Sequence, residues 1–228
     1  MESKSKLFRG PIVVALIALA FVLWIERDSL WQVPVAAIAP DSRPAFEQWL
    51  EAEPERQEEL AALDAFLREQ DVGGVVPTWQ LTRIDAFYAG RCELESFTMP
   101  PRDLWANVVP ALRLVRDEVI PAVGAVEVRS SYRTPELNRC ARGAGRSKHL
   151  QFSALDLVSA DGRRGEDLYR DLCAMYESAG PASRMGLGAY YDFGDTGFGG
   201  GRFHIDGEGY RAWGRGYAAG SSPCGRFN

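Results

Sequence analysis

Apolar positions recur at helical spacing in some parts of the chain and alternate with polar positions in others. The helical spacing predicts helices over residues 41–68, 101–119 and 165–180, and a short helix that opens at Thr134 and Pro135 as N-cap and first position. The alternation predicts strands over residues 125–129, 154–158, 185–191 and 202–206. No βαβ rhythm and no internal repeat is present, so the sequence predicts an α+β fold with a small antiparallel sheet flanked by helices.

Breaks in these patterns predict how the chain is organised. Pro54 interrupts the first predicted helix, and a Gly-Gly pair at residues 73–74 ends it. We therefore expect a helical stalk or linker over residues 28–74, followed by one domain over residues 75–228. The alternative for the first segment is a helix packed on the domain.

The N-terminal segment has the composition of a membrane anchor. A basic stretch at residues 1–9 precedes an uninterrupted apolar run over residues 11–25. This run is either an uncleaved transmembrane helix, assigned to residues 10–27, or the apolar part of a cleaved signal peptide. We favour the anchor because the small-x-small pattern at residues 37–39 lies far from the run and Pro40 follows it. The basic flank stays inside, so we expect the remainder on the outer face of a bacterial inner membrane, in the periplasm.

Four widely spaced cysteines fit such a location. Outside the cytoplasm an even number favours two disulfides, with three pairings open, and the alternative is four buried free thiols. No C-x-x-C pair indicates a structural zinc or a redox motif. The cysteines are Cys92, Cys140, Cys173 and Cys224.

Charge and glycine patterns argue against two classes of ligand. The formal net charge is −5 and no basic stripe is visible, so no nucleic-acid partner is expected. The glycine-rich stretch at residues 194–201 lacks the Lys-Ser/Thr of a phosphate cradle, so no nucleotide is expected either.

The two histidines of the chain stand in separate half-motifs of a metal site. His149 precedes Asp156, a carboxylate between apolar residues in a predicted strand, where burial is costly unless a metal or hydrogen bonds compensate it. His204 lies in the last predicted strand, and Asp206 shares its face. Two imidazoles and one carboxylate are typical protein ligands of a catalytic zinc. The pattern predicts His149, Asp156 and His204 as zinc ligands.

The order of these motifs resembles that of the zinc D-alanyl-D-alanine carboxypeptidase family, which includes vancomycin-resistance D,D-peptidases and phage endolysins and belongs to the lysostaphin-type peptidoglycan peptidases. The likeness covers about residues 97–213, through the segments 130–138, 147–149, 156 and 203–206. The resemblance implies a hedgehog/D,D-peptidase-like fold, a zinc cofactor and peptidoglycan stem peptides as substrates. By position, it implies that Arg133 binds and polarises the scissile amide, and that Ser147 binds the substrate or tethers its loop.

Two positions depart from the family pattern. Phe152 stands where the family often has glycine, and Gly201 stands where several branches have a catalytic Glu or Asp. Glycine cannot accept a proton, so we expect Asp206 to be the general base. An acid of the neighbouring loop, Asp192 or Asp195, is the alternative.

These observations predict a zinc peptidase, anchored in the membrane or released into the periplasm, and the resemblance implies that it cleaves peptidoglycan as a carboxypeptidase or endopeptidase. Zinc would activate a water molecule, an acid would accept its proton, and Arg133 would stabilise charge on the carbonyl oxygen. Two alternatives are a non-catalytic, metal-binding wall-binding module of the same fold and a metallopeptidase or amidase with another substrate.

Overall fold

The computed structural model describes residues 38–191 and 201–227. The predicted membrane segment at residues 10–27 lies outside the described residues, as do Asp192 and Asp195. Within the described ranges, no helix is both long enough and apolar enough to cross a bilayer.

Most of the helices are short, and most begin where the sequence supplies a cap or a proline. Helix α1 is capped by the Ser42 side chain, which accepts a hydrogen bond from the N–H of Ala45 at 3.4 Å. Proline stands near the start of α2 and α6, where its missing N–H leaves no helical hydrogen bond unmade. In the described part of the chain, the helices cover Arg43–Glu51 (α1), Pro54–Glu69 (α2), Ala86–Arg91 (α3), Val109–Leu114 (α4), Ile120–Val123 (α5), Pro135–Cys140 (α6), Glu166–Ala179 (α7) and Cys224–Phe227 (α8).

Helices α1 and α2 pack on the rest of the domain. Leu63 and Leu67 of α2 are buried in the main apolar core, and Phe46 of α1 packs edge-on against Phe97 at 5.5 Å between ring centroids. Pro40–Asn228 accordingly form one compact unit. The sequence left open a helical stalk or a helix packed on the domain for this segment. These contacts are those of a packed helix.

The predicted helix over residues 101–119 is longer and less regular than expected. A 3₁₀ segment over Arg102–Val108 leads into α4, and a widened π turn over Val115–Val119 leads into α5. Pro121 has no N–H to donate one turn back, and the widened turn immediately before it accommodates that loss. Pro110 begins α4 and does not kink a continuous helix.

Five strands form one sheet in the order β1-β2-β4-β3-β5. The pairs β1–β2, β2–β4 and β4–β3 are antiparallel, as predicted, and β3–β5 is parallel, which the sequence did not predict. The α+β class is therefore confirmed, and a purely antiparallel sheet is wrong. The strands cover Val126–Ser130 (β1), Ala154–Ser159 (β2), Gly186–Ala189 (β3), Phe203–Asp206 (β4) and Arg211–Trp213 (β5).

The two faces of the sheet have different roles. Leu155, Leu157 and Ile205 belong to the fully buried core, which α4 and α7 share. Asp156 and His204 alternate with these residues and therefore point to the opposite face. The alternation that keeps the core apolar thus places the polar side chains together on one face.

Both predicted disulfides are present. Cys92–Cys140 joins the end of α3 to the end of α6, and Cys173–Cys224 joins α7 to α8. The second bridge fastens the C-terminal segment to the core, where Cys173 and Cys224 are both buried.

Candidate metal centre

Three elements bring the predicted ligands together. Asp156 on β2 pairs directly with His204 on β4, and His149 comes from the turn over Lys148–Gln151 that precedes β2. Oδ1 of Asp156 lies 3.3 Å from Nε2 of His149 and 3.1 Å from Nδ1 of His204. The two nitrogens are 3.2 Å apart. All three side chains are buried, with at most 6% of any residue exposed.

The outer nitrogen of each ring is held by an acceptor. Nδ1 of His149 lies 2.6 Å from the carbonyl oxygen of Ser131, and Nε2 of His204 lies 3.0 Å from Oδ2 of Asp206. A carbonyl oxygen and a carboxylate only accept, so both outer nitrogens donate. The inner nitrogens then turn their lone pairs toward Asp156. Three acceptor atoms in such close contact require a cation, or a proton, between them.

The pKa shifts of these three residues agree with this requirement. Burial would raise the pKa of Asp156, but the two imidazoles outweigh it and hold this pKa well below the usual range. Burial lowers the pKa of His149, and Asp156 offsets this only in part. Burial also acts to lower the pKa of His204, but hydrogen bonds to Asp156 and Asp206 outweigh it and raise this pKa. Of the two imidazoles, His204 is therefore the one whose pKa shift favours the protonated form.

The donor set fits zinc. Two imidazole nitrogens and one carboxylate oxygen, with their outer nitrogens hydrogen-bonded, are the ligands of many catalytic zinc sites. His149, Asp156 and His204 would hold the ion. All three line a cleft of about 1160 Å³, so a substrate can approach it from one side.

Asp206 lies across the ring of His204 from this site. Its Oδ2 faces Nε2 of His204, whereas the metal-facing nitrogen is Nδ1. Its Oδ1 accepts a hydrogen bond from the N–H of Glu208 at 2.9 Å, and the side chain is fully buried and outside the cleft. The general-base role predicted for Asp206 stays a prediction, and this position favours a supporting role instead. The carboxylate fixes the tautomer and orientation of a ligand.

Arg211 completes this support, and the sequence did not predict it. Its guanidinium donates to both carboxylate oxygens of Asp206, at 2.7 and 3.1 Å. Asp206, Gly186 and Arg211 lie opposite one another on three neighbouring strands, with Gly186 in the middle. A Cβ atom at Gly186 would lie 2.5 Å from Oδ2 of Asp206. The ion pair between Asp206 and Arg211 therefore requires a residue without a side chain at position 186.

A second glycine of β3, Gly188, allows a similar close contact between its two neighbouring strands. His204, Gly188 and Trp213 lie opposite one another, and the His204 and Trp213 rings approach to 5.1 Å between centroids. A Cβ atom at Gly188 would lie 2.9 Å from Cβ of His204 and 3.0 Å from the Trp213 ring. The Gly-Leu-Gly sequence of β3 was the signal in the sequence that could have revealed both contacts.

Arg133 and Ser147 line the cleft beside the metal site. The backbone N–H of Arg133 donates to the backbone carbonyl of His149 at 2.9 Å. This hydrogen bond fixes the position of Arg133 relative to the predicted zinc ligand His149. Nε of Arg133 is buried without a hydrogen-bond partner among the described residues, while the residue as a whole lines the cleft. Ser147 begins the turn that carries His149.

The two departures from the family pattern have structural explanations. Phe152 adopts a left-handed conformation with φ 53°, which glycine would favour, while its side chain is fully buried in the core. Gly201 has φ 67°, and a Cβ atom there would lie 2.8 Å from the carbonyl oxygen of Arg163. An acid at position 201 would therefore be strained in this backbone.

Comparison with known proteins identifies one family. The family model described as Peptidase M15 matches residues 104–191, a span that contains Arg133, His149 and Asp156 and ends before His204. No curated protein and no solved structure matches the chain. The matched segment carries two of the three converging ligands, and the structure supplies the third from the adjoining strand. Residues 104–191 thus match the peptidase M15 family of metallopeptidases, which agrees with the zinc D-alanyl-D-alanine carboxypeptidase family that the motifs of the chain resemble.

Proposed function

We propose that this protein is a zinc-dependent hydrolase of peptide bonds in peptidoglycan stem peptides or cross-links. The observation that carries the proposal is the convergence of His149, Asp156 and His204 on one wall of an open cleft, with both outer ring nitrogens held as donors. The match of residues 104–191 to the peptidase M15 family supports peptidoglycan as the substrate class. Whether the bond is terminal or internal decides between a carboxypeptidase and an endopeptidase.

The residues of the chain would divide the work as follows. Zinc bound at the site would supply Lewis acidity that activates water and polarises the amide carbonyl. Asp206 and Arg211 would keep Nδ1 of His204 free to bind the ion. Arg133 would donate to the carbonyl oxygen as negative charge develops there, and its place beside the three ligands in the cleft supports this role.

The proton acceptor is proposed to be Asp192 or Asp195. The acids that line the described part of the cleft are Asp85 and Asp156. Asp156 would be a metal ligand, and Asp85 forms an ion pair with Arg202. Asp192 and Asp195 follow Tyr190, which lines the cleft, and they lie outside the described residues. Cleavage lost in D192N or D195N with zinc still bound would identify the base, whereas cleavage retained in both single variants and in the double variant would exclude this assignment.

The proposed location is the periplasmic side of the inner membrane. Two disulfides favour an oxidising compartment, and the basic and apolar N-terminal sequence favours an anchor or a signal peptide. Fractionation of cells, with the mass of the mature protein, tests both parts of this proposal. A full-length protein in the membrane fraction indicates the anchor, a shortened soluble one in the periplasm indicates cleavage, and a cytoplasmic protein contradicts both.

The non-catalytic wall-binding module is a second candidate, favoured by Gly201 in the slot of the acid. Digestion of purified peptidoglycan by the full-length protein, followed by mass spectrometry of the products, separates the two functions. Release of a terminal D-amino acid indicates a carboxypeptidase, and separation of cross-linked dimers indicates an endopeptidase. Zinc-dependent binding without any product would favour the module.

A further inference from the structure

The cleft is basic although the chain is acidic overall. The formal net charge of the chain is −5, yet cationic side chains outnumber carboxylates around the described part of the cleft. The carboxylates are Asp85 and Asp156. The cationic residues are Arg133, Arg142, Arg146, Lys148, Arg202 and Arg211. A bound metal ion would add further positive charge, so the cleft is suited to an anionic ligand.

Half of these cationic groups are already neutralised within the protein. Arg202 pairs with Asp85, Arg211 pairs with Asp206, and Lys148 pairs with Glu208 at 2.8 Å. Within residues 38–191 and 201–227, no carboxylate lies within ion-pair distance of the other three. These three are Arg133, Arg142 and Arg146. Among the described residues, no carboxylate neutralises their charge.

The loop that carries Arg142 and Arg146 is held in place by its own contacts. The N–H of Gly143 donates to the carbonyl of Asn138 at 2.9 Å, and Nδ2 of Asn138 donates to the carbonyl of Ala144 at 3.2 Å. The Cys92–Cys140 disulfide fixes the end of α6 immediately before the loop. The two arginines therefore extend from an anchored backbone on the wall of the cleft.

Gly143 places this loop directly against Arg133. A Cβ atom at Gly143 would lie 2.1 Å from Oδ1 of Asn138 and 3.1 Å from Nη1 of Arg133. The loop thus packs against the guanidinium group of Arg133, which we assign to the scissile amide. A ligand that reaches Arg133 is therefore adjacent to the loop of Arg142 and Arg146.

We propose that Arg142 and Arg146 form a subsite that binds a free carboxylate of the substrate beside the scissile bond. The enzyme then prefers peptides that carry a free carboxylate beside the scissile bond over the same peptides with that carboxylate amidated. Guanidinium groups bind carboxylates through paired hydrogen bonds and discriminate against a neutral amide, which lacks the charge. The stem-peptide identity of the substrate rests on the proposed function; the acidic preference rests on the cleft.

The test compares two forms of one stem peptide, with its side carboxylate free or amidated. Wild-type full-length protein is expected to cleave the free acid with a kcat/KM about tenfold higher, since each exposed ion pair contributes a modest factor. In R142Q/R146Q the preference is expected to fall to about twofold or less. The matched control is R91Q/R139Q, which removes the same charge from exposed positions that do not line the cleft. This control is expected to keep the preference.

Binding is measured on the same proteins, independently of turnover, as the affinity for each peptide of the metal-free form. Cleavage without preference in the wild type, or a preference unchanged in R142Q/R146Q, would overturn the subsite and leave the proposed function standing. Tighter binding of the acidic peptide that R142Q/R146Q abolishes, with no cleavage of either peptide, would support the subsite and contradict the hydrolase. Equal loss of preference in the control would overturn the subsite, because net charge alone would then explain it.

Discussion

Nε2 of His204 donates to Oδ2 of Asp206 at 3.0 Å, on the opposite edge of the imidazole from the nitrogen that faces Asp156. The ring therefore stands between two carboxylates with different roles. One would share the metal ion with it, and the other fixes its tautomer and is itself fixed by Arg211. Asp206 thus supports a ligand, and its carboxylate is not among the groups that line the cleft.

Removal of the Asp206 carboxylate is expected to weaken zinc binding. In D206A the outer nitrogen of His204 loses its acceptor, and we expect a loss of zinc affinity of about 10- to 100-fold. D206N keeps an acceptor oxygen and is the matched control, with a smaller loss. Competition with a chromogenic chelator measures both affinities. Abolished cleavage in both variants with unchanged zinc affinity would contradict this role and return Asp206 to the position of general base.

Gly186 is expected to tolerate no side chain. In G186A the added Cβ would meet the Asp206 carboxylate at 2.5 Å and push it from Arg211. We expect a destabilisation of about 1–3 kcal/mol, as for other overpacked sites, together with weaker zinc binding. G90A is the control, because a Cβ atom at Gly90 meets nothing within 4 Å. Denaturant unfolding of the two variants measures the difference, and equal stability of both would exclude the proposed contact.

The Asp206 ion pairs give the metal-free protein a defined acid sensitivity. Burial would raise the pKa of Asp206, but hydrogen bonds from His204 and Arg211 outweigh it and lower the pKa from 3.8 to about 2. A lowered pKa in the folded state stabilises the protein above pH 3.8, and this contribution is lost as the pH falls toward about 2. The shift corresponds to about 2 kcal/mol.

Unfolding free energies measured between pH 6 and pH 2 test this point, with D206N as the comparison. The wild type is expected to lose about 2 kcal/mol more than D206N over this range. Parallel curves for the two proteins would show that Asp206 does not carry the effect.

The Cys92–Cys140 disulfide is expected to affect the cleft as well as stability. It joins α3 to α6. Asp85, which precedes α3, and Tyr88 of α3 line the cleft, and so does the loop of Arg142 and Arg146 that follows α6. In C92S/C140S we expect the unfolding free energy to fall by about 2–4 kcal/mol and the KM for a stem peptide to rise. C173S/C224S is expected to lose similar stability with an unchanged KM, since that bridge lies between α7 and α8. An equal KM rise in both variants would contradict a local effect.

The sequence predicted the metal centre better than its support. Alternation of apolar and polar residues placed Asp156 and His204 on one face of neighbouring strands, which needs only the period of a strand. Periodicity gives a face but not a position along it, so it did not reveal that Asp206 lies across the ring from the metal site. Arg211 was missed because β5 is a three-residue strand in parallel pairing, too short for a recognisable pattern.

Phe152 illustrates a second limit of prediction from sequence. A bulky residue in a slot that is often glycine suggested a different backbone, yet the left-handed conformation is present. Strain of about 1–2 kcal/mol in that conformation is offset by full burial of the aromatic ring, which a local sequence pattern does not register.

The most direct test of the central claim is zinc stoichiometry and peptidoglycan cleavage, measured on one preparation of full-length protein before and after chelation. We predict one zinc per chain, cleavage that chelation abolishes, and recovery when one equivalent of zinc is restored. H204A is expected to retain neither zinc nor cleavage. Cleavage that survives complete removal of the metal, or the absence of bound zinc from the native protein and after its addition, would contradict the assignment of His149, Asp156 and His204 as a catalytic zinc site.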